Sequence, residues 1–488
     1  MSAANYETLD REISARSEDT DDCLAPFASV IKRLNVDGIA SYSLAIRKGH
    51  MSVSECNALS CTVEENNPMV GSFNIVYCIQ FNDGLKWVIK IPSNAHPGSW
   101  DTESANALRS EALLMQFLKR ETNIPIPSVF AYDMSLDNPT NCPHIIMEFA
   151  HGRSLRDMWF DKRLSDEKRK QKRARALMQY ASRIIQLNKF TFSKGGSIEF
   201  DIDGRMIGIQ PLRKVDQDSL LADFEAGGDI TTKYITGGPY EDQFSMFIEA
   251  FDRRDAHQRN QGDFKKASRK LLRLFLSWIP LDVYDGIETT SIDTHPFVLS
   301  HSDPDSQNIL VDQDGNITSI IDWDGACSSP RTPGNIGFPS WLTRDWDPLC
   351  YDWKSDWGDT PSEEISDEDS PQQLAAHREE YAGYMHAISQ AMGATKSTER
   401  ATKNSMMIDN LLIAAELPMN ETEIVSTIFE EIRQHLLTLG LDTPTEEGEV
   451  AIDMEDFCFF DIERLLEEDD WSERLINRLK VGFQHFCS

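Results

Sequence analysis

The stretch His301-Ser302-Asp303-Pro304-Asp305-Ser306-Gln307-Asn308, followed by Ile321-Asp322-Trp323-Asp324, decides how this chain is read. It has the form H-x-D-x-x-x-x-N, then a hairpin, then an Asp closing an apolar strand. Ile309-Leu310-Val311 is one short strand, and Ile317-Thr318-Ser319-Ile320-Ile321 is the return strand. Asp314-Gly315 between them is a favourable turn, because glycine takes positive φ at little cost. The hairpin carries Asn308 and Asp322 to one end, where both can face a single cleft. Kinase-type phosphoryl transfer uses such groups in this order. One Asp takes or orients the proton of the attacking hydroxyl, and an Asn and a second Asp hold Mg²⁺ on the phosphates. An ordinary surface hairpin would leave His301 and Asp303 without a role.

A phosphotransferase also needs a clamp for its nucleotide. Gly71-Ser72-Phe73-Asn74 opens a strand, and glycine there lets backbone N–H groups approach phosphate oxygens. Lys90 sits in Val88-Ile89-Lys90-Ile91. A lysine between apolar neighbours needs a carboxylate or phosphate partner, unless it snorkels to water from an edge strand. Glu111, on the helix that follows, is the natural partner. Met147-Glu148-Phe149-Ala150 ends the last strand before Gly152. Backbone groups of Glu148 and Ala150 there can meet an adenine edge, and a crossover between domains is a common place for a ligand.

The rest of the chain divides around these motifs. Residues 1–60 form an N-terminal extension with one amphipathic helix marked by Leu24, Phe27, Val30, Ile31 and Leu34. Residues 61–150 read as strands with one main helix, from Ala105 to Arg120, ended by Ile124-Pro125-Ile126-Pro127. Residues 151–488 read as mainly helical, with an inserted hairpin at Ser197–Phe200 and Met206–Ile209. They also hold the catalytic loop 301–308, Asp322, and an acidic loop at 345–370. Lys168-Arg169-Lys170-Gln171-Lys172-Arg173-Ala174-Arg175 reads as a solvated helix face, and the acidic stretch ending at Ser370 as a mobile loop.

With both halves in place, the chain resembles the aminoglycoside phosphotransferase/choline kinase-like branch of the protein-kinase-like fold, and in particular its fungal phosphotransferase-family group. The resemblance runs from about Gly71 to Trp346. It rests on Gly71-Ser72-Phe73-Asn74, Lys90, Glu111 with Thr122-Asn123-Ile124-Pro125-Ile126-Pro127, the 301–308 motif, and Asp322-Trp323-Asp324. It implies an α+β, two-lobed fold: a small antiparallel-sheet lobe with one main helix, and a larger, mainly helical lobe. It implies ATP and Mg²⁺ as cofactors, Asp303 as catalytic base, Asn308 and Asp322 as metal ligands, and His301 as a structural organiser of its loop. Three departures stand out. Ser302 replaces the usual Gly or Asn. Asp305 occupies a position where many members carry His and protein kinases carry Lys. D-F-G, A-P-E and a full glycine-rich loop are absent.

Composition bounds the partners. The chain has 488 residues, 40% of them hydrophobic and 26% charged, which fits a globular protein with more than one core. No apolar run approaches the roughly 20 residues that span a bilayer. No secretory signal is visible at Met1-Ser2-Ala3-Ala4-Asn5-Tyr6-Glu7. Nine scattered cysteines without a C-x-x-C pair point to reduced thiols and a cytoplasmic location. A formal charge of −32 disfavours nucleic acid and anionic membranes as partners. The expected partner is a small molecule bearing a hydroxyl. Asp324, Asp345, Trp346, Asp347, Asp352, Trp353, Asp356 and Trp357 either receive a cationic group on it or form a solvated loop with structural tryptophans. Two other readings stay open: a modifier of macromolecules, and a catalytically silent nucleotide-binding protein.

Overall fold

The computed structural model describes residues 23–49, 51, 58–216, 219–220, 222, 233–257, 263–279, 295–331, 334–347, 351–353, 368–393, 398–417, 420–439 and 473–486. The N-terminal extension contributes two helices, α1 (Ala28–Arg33) and α2 (Val36–Lys48), where one was expected. Asn35 separates them and caps the second by accepting from the Gly38 N–H (3.1 Å).

The small lobe is a six-stranded antiparallel sheet. Its strands are β1 (Cys61–Val63), β2 (Met69–Val70), β3 (Asn74–Phe81), β4 (Lys86–Pro92), β5 (Val129–Asp133) and β6 (His144–Glu148). They run in the order β1-β3-β4-β6-β5, with β2 also on β3. Alternation along β4 decides which way each residue faces. Trp87, Ile89 and Ile91 enter a core with Phe27, Val30 and Ile39 of the N-terminal extension. Val88 enters the core on the opposite face, and Lys90 shares that side. The lysine and its Ile neighbours therefore lie on different sides of the sheet.

On the lysine side lies α3 (Thr102–Glu121), capped by the Asp101 carboxylate on the Ser104 N–H (2.7 Å). Leu108, Ala112, Met115 and Leu118 form its apolar stripe, and Glu111 is buried with them. The helix, the strand pair and the crossover all match the sequence reading.

The large lobe contains more sheet than expected. Strands β7 (Arg153–Ser154), β14 (Ile309–Val311) and β15 (Ile317–Ile320) form one three-stranded sheet, which holds the motif hairpin. Strands β8 (Thr191–Phe192), β9 (Gly196–Phe200), β10 (Met206–Gln210), β13 (Phe297–Ser300) and β16 (Cys327–Pro330) form a second, in the order β10-β9-β16-β13-β8. Strands β11 (Leu212–Val215) and β12 (Tyr234–Gly237) make a separate antiparallel ribbon. The expected hairpin at 197–209 is thus β9–β10, but it is one edge of a larger sheet that also carries the strand leading into His301.

Eight helices among the described residues complete this lobe: α4 (Leu155–Trp159), α5 (Asp166–Ile184), α6 (Gln243–His257), α7 (Asp263–Trp278), α8 (Pro371–Ala391), α9 (Glu399–Glu416), α10 (Glu421–Thr438) and α11 (Glu473–Phe486). Leu271, Phe275, Leu411, Ile428, Phe429 and Phe483 pack α7, α9, α10 and α11 into one core. The fold is α+β and two-lobed, as the sequence implies.

Two charge runs differ from their expectation. Most of the basic run on α5 is solvated, but Arg173 is buried. It pairs with Asp369 (3.0 Å), stacks on Trp159 (4.7 Å) and donates to the Trp159 carbonyl. Asp369 also accepts from Trp159 Nε1 (2.6 Å), and Glu368 pairs with buried Arg344. The end of the acidic stretch is therefore fixed into the core; residues 354–367, including Asp356 and Trp357, lie outside the described residues.

Candidate active site

Three segments far apart in sequence converge between the lobes. From the small lobe comes Lys90, buried, with its Nζ donating to Glu111 Oε1 (2.7 Å) and Asp322 Oδ1 (2.8 Å). Lys90 and Asp322 are separated by 232 positions, so this contact closes the two halves on each other. Burial alone would lower the lysine, but Asp322 and Glu111 override it and hold Lys90 above its ordinary value as a fixed cation. Burial and the nearby Asp324 and Asp322 carboxylates raise Glu111 to about 7 despite the opposing pull of Lys90. For Asp322, burial raises and Lys90 lowers; the lysine wins and the carboxylate is held below its ordinary value.

The backbone of the motif explains this aim. Asp322 has φ of 60°, a left-handed conformation that a short polar side chain tolerates better than most. Trp323 follows, with no exposed surface, and its Nε1–H donates to the Ile320 carbonyl (3.0 Å). The side chain of Asp322 keeps 42% of its surface open, toward the cleft.

His301 holds the catalytic loop from inside. Its Nδ1 accepts the Asp303 N–H (3.0 Å), so Nε2 carries the proton and donates to the Ile321 carbonyl (3.1 Å). The ring meets Trp323 edge-on at 4.6 Å. Burial lowers it to about 4, so the imidazole is neutral at pH 7 and acts as a brace between the loop and the strand that ends at Asp322. Asn308 ends a 3-10 turn (Ser306–Asn308) whose N-cap is Asp305. Its Nδ2 donates to Asp303 Oδ2 (2.7 Å), which leaves its amide oxygen as the acceptor atom. Asp303, Asn308 and Asp322 line one cleft, as expected.

The remaining expected residues line the same cleft. Gly71, Ser72, Phe73 and Asn74 form its rim, with the Gly71 N–H on the Asn74 carbonyl (2.9 Å). The Gly71 backbone is not left-handed, and an added Cβ would meet only the Asn74 carbonyl at 3.6 Å. Glycine there is not demanded by the turn. Glu148 and Ala150 line the inner end. The Glu148 N–H is already taken by the Ser128 carbonyl (2.8 Å), so that residue has only its carbonyl to offer; the Ala150 N–H makes no hydrogen bond among the described residues.

The cleft measures about 1500 Å³, more than one drug-sized ligand fills. Its far wall comes from the ribbon β11–β12 and from α9, which the sequence did not mark. Arg213, Lys214 and Tyr234 come from the ribbon, Asp409 and Glu416 from α9. Burial raises Asp409 to about 8, and it has no hydrogen bond or ion pair among the described residues. Of the acidic and aromatic group proposed to receive a cation, Asp324 and Asp347 line the cleft. Asp345 does not; it is clamped by Arg378 at 2.6 and 2.9 Å. Trp346, Asp352 and Trp353 do not line it either.

The donor set suits a hard divalent cation. Asp322 and the Asn308 amide offer oxygen atoms, and Asp303, Asp324 and Glu111 leave the site richer in negative charge than Lys90 balances. Among the described residues no group of three or more His, Cys, Asp or Glu is placed to hold a metal by itself. A two-ligand protein site is what Mg²⁺ uses when phosphate oxygens complete its shell.

The chain matches a 142-residue stretch of the Candida albicans "Altered inheritance of mitochondria protein 9, mitochondrial" at 30% identity, covering 28% of this chain and 22% of that protein. The Saccharomyces cerevisiae protein of the same name matches over 333 residues at 22% identity, 59% of this chain and 51% of its own length. The chain thus spans about half or less of these curated relatives. Among solved structures, a thermostable aminoglycoside phosphotransferase mutant in complex with AMP-PNP and hygromycin B aligns at 14% identity and a TM-score of 0.37, covering 87% of this chain and 94% of that one. A Plasmodium vivax ethanolamine kinase aligns at 13% and 0.36, covering 89% and 88%. At such TM-scores these two likenesses carry no further weight. The family model described as "Phosphotransferase enzyme family" matches residues 71–332, more than half of the chain and the region that holds every motif above. The chain belongs to this phosphotransferase family, of the aminoglycoside phosphotransferase type.

Proposed function

We propose that the protein is an ATP- and Mg²⁺-dependent kinase that moves the γ-phosphoryl group of ATP to a hydroxyl of a small molecule. The observation that carries this reading is the lysine bridge: Lys90 joins Glu111 and Asp322 at the mouth of the loop that bears Asp303 and Asn308. Bound Mg·ATP would supply the phosphoryl group and the metal's neutralising charge. The chain supplies position. Lys90, oriented by Glu111, pairs with the α- and β-phosphates, and the rim at Gly71–Asn74 covers them. The Glu148 carbonyl and Ala150 N–H face the adenine edge, and Asp322 and Asn308 hold the metal. Asp303 orients the acceptor hydroxyl and takes its proton. Catalysis of this kind is mainly alignment and preset electrostatics.

The acceptor side is acidic. Asp409, Asp347 and Asp324 face the cleft, and a cation bound beside Asp409 would draw that buried, raised carboxyl back to its ionised form. An amine-bearing alcohol fits this wall better than a neutral one. The test is Mg²⁺-dependent ADP release from ATP against amino alcohols, aminoglycosides, sugars and neutral alcohols. Amine-bearing alcohols are expected to stimulate release, and Asp409→Asn to reduce that preference by about tenfold. Stronger stimulation by neutral alcohols would remove the cationic acceptor; no stimulation by any compound, with ATP bound, would favour a macromolecular acceptor or a silent nucleotide site.

The reading keeps a cytoplasmic location, on the ground that Cys61, Cys78, Cys142 and Cys327 form no disulfide among the described residues. Mitochondrial location is stated in the names of the fungal relatives, and fractionation of cells expressing the full-length protein decides between the two.

A further inference from the structure

The helix that carries Glu111 is held from two sides, and only one of them is the small lobe. Glu111 points to the sheet, where it meets Lys90 (2.7 Å). Arg109 and Leu113 lie one turn apart on nearly the opposite face, with Ser110 beside them. These three residues meet the large-lobe hairpin β9–β10. Arg109 donates from Nη1 to the Phe200 carbonyl (3.0 Å) and from Nη2 to the Asp201 carbonyl. Ser110 Oγ donates to the Ile198 carbonyl (2.5 Å). The hairpin turn comes so close to Leu113 that a Cβ added at Gly204 would meet its Cδ2 at 3.2 Å. Ile198 and Phe200 are buried in the same core as Leu108 and Leu113.

The hairpin is built to hold those carbonyls still. Asp201 Oδ1 accepts the N–H groups of Asp203 (2.9 Å) and Arg205 (2.8 Å), and the Asp201 N–H donates to the Arg205 carbonyl (2.9 Å). Two fixed carbonyls side by side suit the planar fork of an arginine. The stem of the hairpin belongs to the sheet that carries the catalytic motif. β9 pairs with β16, which begins at Cys327 just past Asp324, and β16 pairs with β13, the strand that leads into His301.

A closed ring results. Asp322 meets Lys90, Lys90 meets Glu111, α3 meets the hairpin, and the sheet of the hairpin returns to both ends of the motif. The two ends of α3 are tied to the same lobe. Ser104 Oγ accepts from Arg213 Nη2 (2.8 Å), and the Glu121 carbonyl accepts from Lys189 Nζ.

We infer that Arg109 and Ser110 are positioning residues for phosphoryl transfer: through the hairpin they hold α3 at the depth and rotation that set Glu111 against Lys90. The inference rests on the nucleotide reading given above. Neither residue hydrogen-bonds Lys90 among the described residues, so both act through Glu111. The lysine meant for the phosphates is thereby aimed relative to Asp303 and Asn308, not only relative to its own sheet.

The test is a double-mutant cycle, because a brace that works through the ion pair loses its effect once the pair is gone. Mg·ATP-dependent transfer to the best acceptor of the panel above is measured on the full chain. The proteins are wild type, Arg109→Ala, Arg109→Lys, Ser110→Ala, Glu111→Gln and the combination of Arg109→Ala with Glu111→Gln. Arg109→Ala is expected to lower kcat/KM for ATP by about tenfold, with the KM of the acceptor within about twofold of wild type. Arg109→Lys, which reaches one carbonyl, recovers part of the loss. Ser110→Ala, which gives up one neutral hydrogen bond, falls by about threefold. In the Glu111→Gln background Arg109→Ala costs less than about twofold. The same tenfold loss in that background, or a loss confined to the KM of the acceptor, would reduce Arg109 to a stability contact and overturn the inference. A second cycle needs no nucleotide: denaturant unfolding of Arg109→Ala, Lys90→Met and their combination. The combined loss of stability is expected to be smaller than the sum of the two single losses, and a combined loss equal to that sum would overturn the inference. Wild type that neither binds nor turns over Mg·ATP would overturn the nucleotide reading, and the second cycle would still decide whether the hairpin sets the ion pair.

Discussion

Asp303→Ala lowers phosphoryl transfer by about 10²- to 10⁴-fold, the range a positioned acid–base group contributes, while Mg·ATP affinity stays within about threefold of wild type. The loop is built to hold this one carboxylate. Its backbone N–H is tied to His301, its carbonyl accepts the Asp305 N–H (2.9 Å), and its Oδ2 accepts from Asn308. Only the Asn308 tie reaches a proposed metal ligand, and it uses the amide N–H₂ rather than the amide oxygen that would face the metal, so the loss falls on turnover. Asp303→Asn keeps the shape and loses the base, and it is expected to fall as far as the alanine variant. The measurement is transfer of the γ-phosphoryl group from Mg·ATP to the best acceptor of the panel above. Unchanged turnover in either variant would remove Asp303 from the reaction.

Lys90→Met destabilises the fold as well as emptying the phosphate clamp. Lys90 and Glu111 expose only 8% and 6% of their side chains. Removing one member of a buried pair strands the other, at a cost of about 3–5 kcal/mol. The stranded group gives the loss a pH dependence of known sign. Glu111 is already raised to about 7 from an ordinary 4.5, and without Lys90 it rises further. Between 4.5 and about 7 folded Glu111 binds more protons than unfolded in both proteins, so both lose stability alike as pH climbs; above about 7 only the variant continues to, and its deficit widens. The variant's deficit is expected to be smaller at pH 5, where Glu111 is protonated in both proteins, and larger at pH 9. Denaturant unfolding at the two pH values checks this. An equal deficit at both would mean that Glu111 is not the group left uncompensated.

The parts of the site that were legible in the sequence are those set by short-range rules. The motif hairpin declared itself through two β-branched runs and Asp314-Gly315, whose glycine does take positive φ (81°). Lys90 was legible because one charge interrupted an apolar strand and one carboxylate waited on the next helix. The structure adds why it works: alternation puts the lysine on the cleft side and its Ile neighbours on the other.

What was not legible depends on distant pairing. Strands β8, β9, β13 and β16 have two to five residues each, and Cys327 meets Ser197 across more than a hundred positions. Strands that short carry too little periodicity to announce themselves, and their partners lie beyond any local window. The strands of the ribbon β11–β12 are joined by residues 216–233, too long a connection for a two-residue turn to announce their pairing, so Arg213 looked like one basic residue among many. Arg173 sat within a basic run and Asp345 within an acidic one. Only the fold shows that Asp369 and Arg378, respectively, claim them. The N-terminal extension carried no chemical signal, yet Phe27 closes the back of the small lobe and reaches the rim of the cleft.

The most direct test of the account is the binding of ATP with and without Mg²⁺ to wild type and to Asp322→Asn, by titration calorimetry. Asp322 is the residue at which the two halves of the site meet, through Lys90. The account predicts that ATP binds wild type far more tightly when Mg²⁺ is present, and that Asp322→Asn abolishes most of this metal dependence. ATP that fails to bind wild type under either condition, or binds both proteins alike with or without the metal, would contradict it.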